Sequence, residues 1–179
     1  MAESPGYPED EFVPKRPTGE ETLLSTSGTI AVVDLLRVIA AERRDRKYLA
    51  TRAAEIICRI GPYRWVGIYD IGPEDANVFA WSGIGPPAFV RFPVTAGLTG
   101  QAFRTKKTVV VNDVSKHPSY LTAFAGTRSE IIVPILDPTQ SRVVGTIDVE
   151  SDRLNAFGPN DQKVLEQCGL ALASLWKEG

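Results

Sequence analysis

The sequence predicts an α+β fold in which helices from the two ends of the chain cover one side of a meandering sheet. Three observations predict it. Apolar residues recur at helical spacing near both ends, in 29–60 and again in 159–177. Short β-branched and aromatic stretches fill the middle, separated by Gly, Pro and Asp turn signals. The 179 residues also supply enough chain for one full core.

In chain order, residues 1–27 read as a flexible, proline-rich arm. They carry many Glu, Ser and Thr, and such a stretch cannot bury enough apolar area to offset its ordering entropy. Residues 28–179 then form one domain, a helical segment over 28–60 followed by a core over 61–179. Val32, Leu35, Leu36 and Ile39 fall at helix spacing, then Glu42-Arg43-Arg44-Asp45-Arg46-Lys47 interleaves both signs as a solvated face does. Leu49, Ala53, Ile56, Ile57 and Ile60 continue the pattern until Gly61-Pro62 stops it, in one bent helix or two. The first stripe carries more apolar residues than a lone surface helix needs, which suggests packing against a second subunit. Strands are expected at 65–71, 78–81, 88–92, 108–111, 130–136 and 143–149. A short helix is expected at 98–105, a loop with a short helix at 112–126, and a closing helix from Pro159 to Lys177 with the proline in its first turn.

Composition narrows the function classes. A net charge of −2 offers no general basic surface to nucleic acid or anionic membrane. No apolar run approaches the roughly 20 residues that span a bilayer. The start, MAESPGYPEDEF, lacks the basic and apolar segments of a secretory signal. Cys58 and Cys168 lie far apart without metal-ligand spacing, so the reading is a reduced, cytoplasmic protein with no cofactor and no metal. His117, the single histidine, sits in a loop and reads as a surface residue. The glycines at 83, 85, 97 and 100 are turn glycines, not a phosphate cradle.

The informative stretch is V-V-G-T-I-D-V-E-S, 143–151. Asp148 and Glu150 are two apart on a strand and share a face, opposite Val143, Gly145, Ile147 and Val149. If this strand pairs with 130–136 in an even register, Glu130 joins the same face. Three such carboxylates repel by up to about 4 kcal/mol per pair at 4 Å with an effective dielectric near 20. A primary ammonium would relieve them, with Trp65, Trp81 or Phe89 as an aromatic wall. Three alternatives stand beside it: structural pairing with Arg91 or Arg128, a hard metal ion, or Glu150 simply ending its strand in water.

Four segments together, G-L-T-G-Q-A-F-R-T-K-K-T-V-V-V-N-D-V (97–114), S-E-I-I-V-P-I (129–135), V-V-G-T-I-D-V-E-S (143–151) and F-G-P-N-D (157–161), resemble a GAF domain over about residues 46–176. The resemblance implies a roughly six-stranded antiparallel sheet with helices on one face and a loop-covered ligand pocket on the other. Within that family the chain is similar to the free methionine-(R)-sulfoxide reductases, through W-V-G-I-Y (65–69) and P-A-F-V-R-F-P (87–93). It implies that Glu130, Asp148 and Glu150 hold a substrate ammonium, with Glu in the last place where the family has Asp. It also locates the family's reducing cysteines, and those places hold Phe89, Thr99 and Ala123. None of these can end as a disulfide, so the reductase chemistry is not expected. The expectation is a non-catalytic small-molecule binding or sensor protein for an amine or free amino acid, as a homodimer. Trp65, Trp81 and Phe89 would shape the cavity, and Thr99 and Ala123 would line the emptied redox position. An enzyme using Asp148 or Glu130 as general base, and a ligand-free interaction module, remain the rivals.

Overall fold

The computed structural model describes residues 26–176. The arm expected over 1–27 lies outside the described residues but for its last two positions, which open the first helix. Helix α1 spans Thr26–Ala40 and α2 spans Arg46–Arg59, so the helical segment is two helices and not one bent helix. Asp45 makes the break. Its backbone is non-helical (φ −55°, ψ 130°) and its carboxylate accepts from the Tyr48 N–H at 3.0 Å, capping α2.

The strands are β1 (Trp65–Ile71), β2 (Asp75–Gly83), β3 (Arg91–Pro93), β4 (Val109–Val111), β5 (Ser129–Leu136) and β6 (Val143–Ser151). Helix α3 (Gly97–Thr105) sits between β3 and β4, and α4 (Pro159–Leu172) follows β6. They form one sheet in the order β3-β2-β1-β6-β5-β4, with antiparallel pairing throughout. Both edge strands have three residues, which keeps the exposed sheet edges short.

β6 runs two residues further than expected, to Ser151, and three other boundaries differ more. The 78–81 strand grows to Asp75–Gly83 because β1 pairs with it along its whole length, from Trp65↔Gly83 to Ile71↔Ala76. The 88–92 strand shrinks to Arg91–Pro93, since the Ala88 N–H goes to the Ala123 carbonyl across a loop and not into a ladder. The closing α-helix ends at Leu172 and tightens into a 3₁₀ turn over Ala173–Trp176.

Period-two alternation divides the sheet into two faces. Val66, Ile68, Ile131, Val133, Ile147 and Val149 face α1, α2 and α4 and build the main core with Leu36, Ile57, Leu165 and Leu172. The opposite face carries Trp65, Tyr69, Glu130, Ile132, Asp148 and Glu150. Helix α3 lies there, with Leu98 and Ala102 against Ile132 and Val109. Among the described residues no helix is long and apolar enough to cross a membrane.

The helix-side core is closed by a polar latch. The Arg46 guanidinium lies between Phe79 and Trp176, 4.3 and 5.0 Å from their ring centres, and donates to Asp70. The Trp176 indole N–H donates to the same carboxylate at 2.6 Å and its ring lies against Gly145, where a Cβ would approach it to 2.5 Å. Arg46→Ala removes both cation–π contacts and one of the donors to Asp70, so a loss of about 2 kcal/mol in unfolding free energy is expected by urea denaturation. Arg46→Lys should recover only part, because an ammonium cannot reproduce the planar stacking.

Candidate functional site

The sequence places acids at alternate positions of β6, and the sheet register decides what they meet. Glu130 on β5 is directly opposite Glu150 on β6, and Asp148 is opposite Ile132, one step along the same face. On the other side of β6, Trp65 of β1 pairs with Glu150 and Gly67 with Asp148. The even register expected from the hairpin is the observed one. All three acids are buried, with 6%, 6% and 2% of Glu130, Asp148 and Glu150 exposed.

These acids line a small cavity with Tyr69, Phe89, Phe92, Thr99, Tyr120, Ala123 and the first turn of α3. Its free volume is about 30 Å³, room for a water but not for an amino acid. Two loops close it, 84–90 after β2 and 117–127 before β5. They are joined by the Ala88 N–H to Ala123 carbonyl bond at 3.1 Å.

No guanidinium or ammonium forms an ion pair with the three acids among the described residues. Arg91 is committed to Asp75 instead, and Arg128 is exposed. Among the described residues, the one side-chain hydrogen-bond partner of the trio is the Thr127 hydroxyl, which donates to Glu150 Oε2. Asp148 Oδ1 is buried without any partner. Burial, then the charge of Asp148, then that of Glu150 push the Glu130 carboxyl well above the usual range. Burial and Glu150 do the same to Asp148. Burial raises Glu150 to about 7, against the opposing Thr127 hydrogen bond and the positive charge of Arg64. Burial and the same three acids raise the Tyr69 phenol, keeping it a neutral donor.

Of the residues singled out in the sequence, Glu130, Asp148, Glu150, Phe89, Thr99 and Ala123 line the cavity. Trp65 and Trp81 do not. Trp65 is buried beside it against Phe124 and Tyr69, with ring centres 5.2 and 6.4 Å away. Trp81 pairs with Gly67 on the same sheet face but is 36% exposed. Sequence reasoning missed Tyr69, Phe92, Tyr120 and Arg64. Tyr69 was recoverable, being two pleats from Trp65; Tyr120 comes from a loop with no periodicity to announce it. Cys58 and Cys168 lie on α2 and α4, on the far side of the sheet, and burial raises both thiols, Cys168 to about 12.

The family profile described as "GAF domain" matches residues 44–175. The chain belongs to the GAF domain family. This GAF domain is similar to GAF domain-containing protein A of Dictyostelium discoideum, 37% identical over 103 residues, which are 58% of this chain and 63% of that protein. The chain thus spans just under two thirds of that relative. It is also similar to the free methionine-R-sulfoxide reductase of Escherichia coli, 26% identical over 134 residues, 75% of this chain and 79% of the reductase. The structure of the Neisseria meningitidis free methionine-R-sulfoxide reductase in complex with its substrate superposes with a TM-score of 0.75 at 25% identity. That match covers 84% of this chain and 89% of that one.

Proposed function

We propose that this GAF domain is a non-catalytic binding module for an amine-bearing small molecule such as a free amino acid. The observation that carries the reading is the buried carboxylate trio, which forms no ion pair among the described residues and leaves Asp148 Oδ1 without a hydrogen bond there. Leaving a buried acceptor unmatched costs about 1–3 kcal/mol, and a primary ammonium supplies three donors and a charge in one compact head. The first turn of α3 supports an amino acid over a plain amine. Its N-cap, Ala96, offers no side-chain cap, so the amides of Gly97–Thr99 can receive a carboxylate. Entry requires the two closing loops to part, because the cavity is smaller than such a ligand.

The cavity lining contains no cysteine, which supports binding without sulfoxide reduction. One observation favours a second reading. Glu150 at about 7 is poised to act as a general base toward a bound substrate.

A thermal-shift and calorimetry screen of free amino acids, their amides and simple amines tests the proposal. A true ligand at one hundred times its dissociation constant should add about 2.7 kcal/mol of stability, and Asp148→Asn should abolish the gain. The absence of a shift with any amine on an intact fold would refute the proposal. Turnover of a bound amine that Glu150→Gln stops would replace it with the second reading.

A further inference from the structure

Given the amino-acid reading proposed above, we infer that the site selects free amino acids with a short, uncharged, apolar side chain, and that Phe89 sets the length it accepts. An α-amino acid presents an ammonium, a carboxylate and a side chain, and the cavity lining divides in the same way. Glu130, Asp148 and Glu150 form one end. The phenols of Tyr69 and Tyr120 belong to that end, since burial and then the charges of these acids raise both. The first turn of α3, with the buried Thr99, forms the second. The rest of the lining is Phe89, Phe92, Leu98, Leu121, Ala123 and Ile132, none of which carries a polar side-chain atom.

That wall decides what the third group of the guest is. A carboxylate there would leave water without a donor side chain to meet it, and would add to three acids already close together. A second ammonium would lie against hydrocarbon once the trio holds the first. An apolar group gains instead, in proportion to the area it removes from water.

The wall yields at one place. Leu98 and Ile132 are buried and packed with Ala102 and Val109. Phe92 meets Tyr69 edge-on, with ring centres 5.6 Å apart. Leu121 lies directly over Gly97, where a Cβ would come within 3.3 Å of it. Phe89 is 40% exposed, at the seam where the Ala88 N–H reaches the Ala123 carbonyl. Its ring lines the cavity on one side and meets solvent on the other. A guest side chain long enough to reach the seam has to displace this ring toward water, so Phe89 acts as the stop.

Calorimetric titration of the full chain with valine, leucine, phenylalanine, glutamate, lysine and simple amines tests this. Valine and leucine are expected to bind, and phenylalanine to bind about tenfold more weakly than leucine, the scale on which an apolar pocket discriminates by size. Glutamate and lysine should be weaker than leucine by at least about tenfold. Phe89→Ala should raise the affinity for phenylalanine about tenfold while changing that for leucine less. Its circular dichroism should match that of the wild type, because the ring is already partly outside the packed interior. Phe89→Leu should fall between the two proteins. Glutamate or lysine binding as tightly as leucine would overturn the inference and leave the amine-binding proposal standing. So would simple amines binding where no amino acid does. A leucine-to-phenylalanine ratio that Phe89→Ala leaves unchanged would remove Phe89 from its role. Binding of neither amines nor amino acids would remove the inference together with the function it rests on.

Discussion

Between pH 4.5 and pH 8 the ligand-free protein is expected to lose about 3 kcal/mol of stability through Glu150 alone. Folding raises this carboxyl from 4.5 to about 7, so the folded state holds its proton more tightly than the unfolded chain does. The stabilisation is complete below pH 4.5 and disappears as the pH rises through about 7. Glu130 and Asp148 are raised as well and push in the same direction. Other acids also titrate in this range, so the informative quantity is the difference between wild type and Glu150→Gln in urea denaturation at several pH values. That difference should slope across the window from pH 4.5 to 7. A flat difference would mean that the carboxylate already has its counter-charge in the free protein. A bound ammonium favours the ionised trio, so saturating ligand should remove the slope and ligand binding should release protons.

Trp65→Ala is expected to cost about 4 kcal/mol of unfolding free energy, the largest effect of any single substitution proposed for this protein. The indole is 1% exposed and packs against Phe124 and Tyr69. It also fills the space above Gly67, where a Cβ would come within 2.1 Å of the ring. Its Nε1 donates to the Gly85 carbonyl at 2.9 Å and ties down the 84–90 loop. Truncation opens a cavity next to Glu150 and frees one of the two loops that close the pocket. Trp65→Phe keeps much of the volume but loses the hydrogen bond, and about 1–2 kcal/mol is expected for it. Guanidinium denaturation ranks the three proteins. Equal stability of wild type and Trp65→Ala would mean that the pocket face collapses without penalty around a smaller residue.

The alternation in 143–151 was enough to put Asp148 and Glu150 on one face, and Glu130 joins them in the even register that the hairpin adopts. Side-chain direction on a strand is a local property with a period of two, and the hairpin left only one parity of register that buries the apolar sides. The order of helices and strands was legible for the same reason. What the tertiary structure alone decided was which side chains close the space around those acids. Trp81 was expected in the wall but lies outside the cavity lining and is 36% exposed, while Tyr120 and Thr127 arrive from a loop without periodicity. Arg91, a plausible counter-ion by type, pairs with Asp75 across β2 and β3 instead. The Arg46 latch joins residues 46, 70, 79 and 176 and has no signature in any one segment. Alternation fixes the face a residue occupies, but partners brought together from distant segments depend on twist, loop path and packing, which no short window of sequence contains.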